Sequence, residues 1–357
     1  MTCLFEPFSL RSVVLRNRVA VSPMCQYSAV DGLADEWHLV HLGSRAVGGA
    51  GLVVVEATGV EARGRISPGC LGIWSDAHAE RLARVARFVE KQGAVPGIQL
   101  AHAGRKASTG RPWDGGGPVP EGKGGWPVVG ASPIPFAPGY PVPAELDAAG
   151  IAALVKAFAD GARRAREAGF RLFEVHGAHG YLGHSFLSPL SNRRTDAYGG
   201  ALENRARFVR ECTRAVRAAA GDGLAVSVRL SCTDWTEGGL TLEETVTAAR
   251  WLREDGADVI DCSSGGNVHD ARIPAGPGYQ VPFARAVRAG AQVPTIAVGM
   301  ITEPAQAEEI VASGAADLVM LARAELRDPY WPSHAAQALG APPPVPPQYE
   351  RGFPPRR

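Results

Sequence analysis

The chain has 357 residues, of which 43 are glycine and 28 are proline, and 45% of the total are hydrophobic. A chain of this length buries roughly three quarters of its unfolded surface, so a large core is expected, and collagen-like or coiled-coil structure is excluded. Its 37 basic and 36 acidic residues nearly cancel, which leaves no overall field for holding nucleic acid or an anionic membrane, and small molecules are the expected partners.

Two absences from the sequence indicate the cellular setting. No run approaches roughly 18 consecutive apolar residues, and the start MTCLFEPFSLRSVV has an acid at Glu6 and no basic stretch before an apolar run. We therefore expect a soluble, cytoplasmic protein.

The 6 cysteines are scattered without C-x-x-C or C-x-x-H spacing, which indicates neither an iron–sulfur cluster nor zinc. No metal is therefore predicted, and any cysteine chemistry belongs to single thiols.

Helix, glycine and strand follow one another repeatedly, as in EKQGAVPGIQL, EAGFRLFEVH and REDGADVIDCSS. Glycine at a helix C-terminus takes the left-handed conformation, and a continuous apolar run is typical of a buried parallel strand. The predicted strands are residues 19–22, 52–57, 95–100, 172–176, 225–230, 258–263, 295–299 and 317–322. Eight such units favour an α/β protein built as a single (β/α)₈ TIM barrel.

An insertion and a terminal arm interrupt this regular order. About 70 residues separate the third and fourth predicted strands, and the segment 104–146 is rich in glycine and proline without a helical period. It is interpreted as a lid over the barrel mouth, with a passive surface loop as the alternative. Residues 1–340 are then one barrel domain, and the proline-rich residues 341–357 favour an extended polyproline II arm, with a disordered tail as the alternative.

The active site of a TIM barrel lies at the carboxyl ends of the strands. Residues suited to binding or catalysis stand at these ends: Ser22, Pro23, Met24, Cys25 and Tyr27; Ala57; Gln99; His176, His179 and Tyr181; and Arg229. Gly299, Ala322 and Arg323 follow the seventh and eighth strands and offer backbone N–H groups and a guanidinium. They predict a phosphate site, which could serve a cofactor or a substrate.

The segment HGAHGY, residues 176–181, suggests specific chemistry. Gly177 lets the chain leave the strand and turn, so that His176 and His179 can point at one oxygen and stabilise negative charge there, with Tyr181 as a nearby proton donor. A metal-binding pair or a purely structural pair are the alternatives, although no carboxylate follows at ligand spacing. Cys25 considered alone is more often a small buried hydrophobe than a functional thiol.

Longer motifs run along nearly the whole chain: LFEP from residue 4, PMCQY from residue 23, AHAGRK from residue 101, HGAHGY from residue 176, SNRRTDAYGG from residue 191 and RDP from residue 327. In these motifs the chain resembles the old yellow enzymes, which are FMN-dependent ene-reductases, and in particular their cysteine-containing, xenobiotic-reductase-like branch. The resemblance implies bound FMN and a hydride donor, either NADPH or NADH. The substrate implied is an enone or another activated alkene.

The resemblance also assigns roles to residues of this chain. The residues implied to surround the FMN ring are Ser22, Pro23, Met24, Cys25, Ala57, Gln99 and Arg229, and those at its phosphate are Gly299, Ala322 and Arg323. Tyr27, His176, His179 and Lys106 are implied to face the substrate, Tyr181 to donate the proton, and Cys25 to tune the flavin potential. Hydride then passes from nicotinamide to flavin N5 and from there to the β-carbon of the alkene, and the α-carbon is protonated.

Arg351 matches an arginine that, in relatives of this branch, reaches the active site of a neighbouring subunit, which implies a homodimer or homotetramer. Phe353 stands where the family often has Trp, and residues 354–357 extend beyond the usual end.

Two other interpretations of the function remain open from the sequence: a phosphate-binding lyase or isomerase without flavin, and a catalytically idle barrel that serves as a binding module.

Overall fold

The computed structural model describes residues 2–353. A short antiparallel hairpin, β1 (Phe8–Leu10) and β2 (Val13–Leu15), precedes a closed barrel of parallel strands. The barrel strands, in chain order, are β3 (Val19–Val21), β4 (Leu52–Gly59), β5 (Val95–Ala101), β8 (Leu172–Gly177), β9 (Ala225–Ser231), β10 (Val259–Ser263), β11 (Thr295–Ala297) and β12 (Leu318–Leu321). β12 pairs in parallel with β3 and closes the ring.

All eight predicted strands are present, and the predicted (β/α)₈ TIM barrel is confirmed. The seventh strand, β11, is shorter than predicted because its ladder ends at Ala297. Gly299 then takes a φ of +111°, a conformation that a residue with a Cβ rarely adopts, and the backbone turns away from the barrel wall at this position.

Helices surround the barrel. They are α1 (Glu36–Val47), α2 (Asp76–Lys91), α3 (Ala148–Glu167), α4 (Leu182–Leu187), α5 (Leu202–Ala220), α6 (Leu242–Glu254), α7 (Val281–Ala291), α8 (Pro304–Ala312), α9 (Arg323–Arg327) and α10 (Trp331–Leu339). Thr241 and Glu244 form the capping box that starts α6, as their spacing predicts. Within residues 2–353, no helix combines the length and apolarity that crossing a membrane requires.

The amino end of the barrel is filled by apolar side chains. Leu10, Val13 and Leu15 of the hairpin are buried in one cluster with side chains from the barrel strands. Several of these partners are the first residues of their strands, namely Leu52, Val95, Leu172, Ala225 and Val259. The hairpin therefore closes the amino end of the barrel interior, and the carboxyl end is the expected place for a ligand.

The insertion between β5 and β8 contains single turns of 3₁₀ helix and two very short strands, β6 (Val129–Gly130) and β7 (Ala144–Glu145), which pair with each other. No α-helix lies in residues 104–146, in agreement with the absence of a helical period. Arg194 fixes its base by donating hydrogen bonds to the carbonyls of Ala131 (3.0 Å) and Leu146 (2.7 Å).

The proline-rich arm leaves α10 at Gly340 and runs without regular structure to a 3₁₀ helix, Pro347–Gly352. This helix shortens the arm, so the expected extended course does not continue to Arg351. The arm also packs on its own barrel, since the ring of Tyr349 lies 5.9 Å from that of Tyr330 and the ring of Phe353 lies 5.8 Å from that of His334. Residues 354–357 lie outside the described part of the chain.

Candidate active site

The HGAHGY segment forms the turn at the end of β8. His176 is buried within the strand, and Gly177 is its last residue. His179 follows with a left-handed φ of +60°, an uncommon conformation for a residue with a Cβ. The ring of His176 lies 5.3 Å from the ring of His179 and 5.0 Å from that of Tyr181. The three side chains that the sequence singles out are therefore brought together.

Both imidazoles are neutral at physiological pH. Burial, and then the charge of Arg229, holds the pKa values of His176 and His179 well below the ordinary value of histidine. A neutral imidazole has one N–H donor and one acceptor nitrogen. The pair can thus offer N–H donors to an oxygen without adding a full positive charge to the site.

His179 is held at three points by residues that the sequence did not single out for this role. Its backbone N–H donates to Ser231 Oγ (2.9 Å), and its Nε2 lies 2.7 Å from Ser263 Oγ. Its carbonyl accepts a hydrogen bond from Lys106 Nζ (2.8 Å). Together these contacts fix both the turn and the direction of the ring.

Lys106 was expected to face the substrate. Its ammonium group donates to the carbonyls of His179 and Gly266 (2.8 and 2.9 Å) and lies 5.0 Å from the ring centroid of Tyr181. Burial, followed by the charge of Arg105, lowers the pKa of Lys106 to about 8. Its observed contacts therefore stabilise the HGAHGY turn.

Cys25 and Tyr27 lie on the loop after β3. Glu56 is buried on β4, and its Oε2 accepts a hydrogen bond from the Gln26 N–H (2.8 Å). This carboxylate anchors the loop where Tyr27 takes a left-handed φ of +51°. The neighbouring Cys70 thiol, followed by burial, raises the pKa of Cys25 well above its ordinary value. Cys25 is therefore a neutral thiol.

The resemblance to the old yellow enzymes implies that Cys25 lies beside a flavin ring, and on that expectation replacing Cys25 with serine should shift the reduction potential of the flavin while both half-reactions persist. The physical reason is that a polarisable thiol at such a position changes the electronic environment of the ring without being consumed. Spectroelectrochemical titration measures the potential, with Cys3→Ser as a control at a partly exposed cysteine. Complete inactivation, or a covalent adduct at Cys25 during turnover, would contradict this role.

Arg229 belongs to a buried polar network beneath the mouth. Its Nε lies 3.0 Å from Asp261 Oδ2, and its Nη1 donates to Ser22 Oγ at 3.3 Å. Gln99 Nε2 donates to the buried carboxylate of Glu174 (2.8 Å). Burial raises the pKa of Asp261 to about 7. Glu174 and Asp261 were not predicted as site residues, although an acidic residue inside the apolar runs LFEVH and VIDCS is a detectable signal.

A cavity of about 310 Å³ adjoins these residues at the ends of β11 and β12. Its lining includes Ser22, Arg229, Ser263, Gln280, Gly299, Ala322, Arg323 and Arg327. A Cβ on Gly299 would approach Gln280 Nε2 to 2.8 Å, so a side chain there would collide with the wall. The guanidinium groups and the bare backbone at Gly299 make this cavity suited to an anionic group such as a phosphate.

Across the described residues, no group of three or more His, Cys, Asp and Glu side chains is arranged to hold an ion. The two histidines of the HGAHGY turn contact Ser263, Tyr181 and each other.

Comparison with known proteins identifies the class to which this barrel and site belong. Residues 3–341 match the model of the NADH:flavin oxidoreductase / NADH oxidase family. The chain is 49% identical to the NADPH dehydrogenase of Geobacillus sp. (strain WCH70) over 354 residues, which cover 99% of each protein. It is 46% identical to the NADPH dehydrogenase of Bacillus subtilis (strain 168) over 352 residues, covering 98% of this chain and 99% of the relative.

Solved structures show the same fold. Morphinone reductase superposes with a TM-score of 0.80 at 27% identity, covering 95% of this chain and 90% of that one. The old yellow enzyme homologue from Zymomonas mobilis gives a TM-score of 0.76 at 26% identity, covering 91% and 90%. 2-Naphthoyl-CoA reductase gives 0.83 at 28% identity, although the match covers 52% of that longer chain and 95% of this one.

The chain belongs to the NADH:flavin oxidoreductase / NADH oxidase family, as its resemblance to the old yellow enzymes implies. It is an FMN-dependent enzyme of the NADPH dehydrogenase type, with a nicotinamide as hydride donor.

Proposed function

We propose that the enzyme reduces the C=C bond of enones and other α,β-unsaturated carbonyl compounds. The observation that supports this function is the grouping of three rings, in which His179 and Tyr181 lie 5.3 Å and 5.0 Å from His176. They combine two neutral N–H donors with a phenol at the carboxyl end of the barrel. Reduction of an enone requires both an anion-stabilising site and a proton donor.

The residues of the site fit FMN. The cavity beside Gly299 can accept the phosphate, with Ala322 and Arg323 in its lining. The residues proposed to surround the flavin ring are Ser22, Pro23, Met24, Cys25, Ala57, Gln99 and Arg229. When bound, FMN would supply the hydride chemistry that links NADPH or NADH to the β-carbon of the alkene.

The histidine pair acts on the carbonyl oxygen of the substrate. Hydride addition at the β-carbon leaves enolate charge on this oxygen, and preorganised N–H donors stabilise such charge more strongly than that of the ground-state carbonyl. His179 is suited to this role because Ser231, Ser263 and Lys106 hold it in place. The low pKa values of His176 and His179 keep each imidazole as a hydrogen-bond donor without a change of charge.

Tyr181 supplies the proton to the α-carbon. Burial raises the pKa of Tyr181 well above its ordinary value, so the phenol remains protonated at neutral pH. Lys106 Nζ, 5.0 Å from the phenol ring centroid, places a positive charge nearby that stabilises the tyrosinate formed as the proton leaves. Net reduction then adds one hydride and one proton across the double bond.

Arg229 would offset negative charge on the reduced cofactor. Asp261 lies against its Nε, so the guanidinium keeps a fixed direction toward Ser22.

A flavin-free lyase or isomerase and an idle binding module lose their support, because the family match covers residues 3–341 and the relatives over almost the entire chain are NADPH dehydrogenases.

The test of this function is product analysis. Anaerobic addition of NADPH should bleach the yellow enzyme, and 2-cyclohexenone should restore the colour and yield cyclohexanone. Formation of 2-cyclohexenol would show that the enzyme attacks the carbonyl group instead. A reduced enzyme that 2-cyclohexenone fails to reoxidise, but that oxygen reoxidises, would restrict the activity to a different electron acceptor.

The arm is proposed to act between subunits. Arg351 is exposed on the terminal 3₁₀ helix, and we propose that in a homodimer or homotetramer it reaches the active site of a neighbouring copy and binds the carbonyl substrate there. The insertion 104–146 is proposed to cover the mouth of the same barrel.

Deleting the residues after Gly340 is expected to raise the KM for an enone by about tenfold or more, since a hydrogen bond from a charged donor is lost. Flavin reduction by NADPH should be much less affected. Steady-state kinetics and the mass of the protein in solution provide the measurements, and Arg351→Ala separates the guanidinium from the rest of the arm. Unchanged assembly and kinetics in both variants would remove the support for a shared site.

A further inference from the structure

The insertion places an exposed tryptophan beside the proposed substrate site. Trp113 lies in the single 3₁₀ turn Pro112–Asp114, and its ring centroid is 5.8 Å from that of Tyr27, at an interplanar angle of 77°. This edge-to-face geometry is favourable for two aromatic rings. The side chain nevertheless remains 64% exposed, so most of the indole surface faces solvent at the edge of the mouth.

The loop that holds Trp113 is closed at its base. The Gly110 N–H donates to the Gly117 carbonyl (2.8 Å), and the N–H groups of Asp114 and Gly116 both donate to the Arg111 carbonyl (3.0 Å). Residues 115–117 are glycines with φ values of +92°, +59° and +77°, which side chains would disfavour. The tight turn sets the position of Trp113 relative to Tyr27.

A second aromatic side chain from the insertion lies near Tyr181. The Phe136 ring centroid is 4.3 Å from Lys106 Nζ, and the same ammonium lies 5.0 Å from the Tyr181 ring centroid. Phe136 also packs edge-to-face on Tyr140 at 5.2 Å. The insertion therefore contributes one aromatic ring beside Tyr27 and another beside Lys106 and Tyr181.

We propose that Trp113 and Phe136 determine specificity, and that they favour α,β-unsaturated carbonyl compounds with a planar ring substituent over small acyclic ones. The inference rests on the proposed function. A flat ring on the substrate can bury its faces and edges against indole and phenyl surfaces, whereas a methyl group in its place covers much less apolar area. The reacting enal or enone group contacts His176, His179 and Tyr181 in either case.

The test compares trans-cinnamaldehyde with trans-2-butenal, which share the reacting group and differ by a phenyl in place of a methyl. Trp113→Ala should lower kcat/KM for cinnamaldehyde about tenfold, mostly through KM, while kcat/KM for butenal changes less than about twofold. Trp113→Phe should retain most of the preference, and Phe136→Ala should reduce it. Val142→Ala, at another exposed apolar position of the insertion, should leave it unchanged.

Equal losses for both aldehydes in Trp113→Ala, or no loss for either, would overturn the inference. Titrating the oxidised holoenzyme with each aldehyde and following the flavin absorbance gives a Kd without turnover. If the wild-type enzyme reduced neither aldehyde, the proposed function would fail. The ratio of the two Kd values in wild type and Trp113→Ala would still decide whether Trp113 selects the ring.

Discussion

Replacing His176 or His179 with alanine is expected to slow alkene reduction by about 10²- to 10³-fold, because each change removes one N–H donor from the oxygen where negative charge develops. FMN should stay bound in both variants, since neither ring is among the residues that line the cavity beside Gly299. Stopped-flow reoxidation of the reduced enzyme by 2-cyclohexenone measures this step directly, and the flavin-to-protein absorbance ratio measures cofactor content.

His41→Ala is the matched control, since it removes a buried histidine on α1. The low pKa values of His176 and His179 add a second expectation. Their folded-state pKa values lie below the ordinary value, so neither ring gains a proton between about pH 8 and about pH 6, and the loss should be similar across this range. A normal reoxidation rate in both alanine variants would show that the pair does not act on the substrate oxygen.

Replacing Tyr181 with phenylalanine is expected to lower the rate of alkene reduction by about 10²- to 10⁴-fold, the usual contribution of a general acid. The substitution removes only the hydroxyl group, and the ring that packs near His176 and Lys106 remains. Reduction of the flavin by NADPH needs no proton from this residue and should be nearly unchanged. Measuring the two half-reactions separately distinguishes these effects.

Tyr198→Phe serves as the control. The Tyr198 hydroxyl donates a hydrogen bond to Glu211 of α5 (3.0 Å) and is not assigned to the active site. A similar loss in both half-reactions of Tyr181→Phe would indicate a folding or binding defect. An unchanged rate of alkene reduction would point to water as the proton source.

The barrel could be predicted from the sequence because its signals are local. Most of the buried parallel strands are largely apolar runs preceded by a helix and a glycine, and the eight predicted strands lie at or within a few residues of the observed ones. The hairpin β1–β2 and the 3₁₀ helix Pro347–Gly352 were not predicted. Both are only a few residues long, and such short segments take their conformation from packing on the barrel, which no local pattern records.

Part of the site could be predicted as well, because the ends of the strands can be located in the sequence. His176, Arg229 and Gly299 stand at strand ends, so the barrel topology alone brings them to one mouth. The residues that hydrogen-bond to the site residues were not predicted, because they lie far from the site residues in the sequence. Ser263 meets His179 from 84 residues away, and Glu56 meets Gln26 from 30 residues away. Serine is common, and only the fold shows which one contacts an imidazole.

The hairpin that seals the amino end of the barrel also constrains the order of events in catalysis. With Leu10, Val13 and Leu15 filling that end, the flavin can be approached only through the carboxyl mouth. On the proposed function, the nicotinamide and the electron acceptor share this one entrance, and we expect an excess of one to hinder binding of the other. We therefore expect double-displacement kinetics, as a consequence of the Leu10, Val13 and Leu15 side chains that close the opposite end of the barrel.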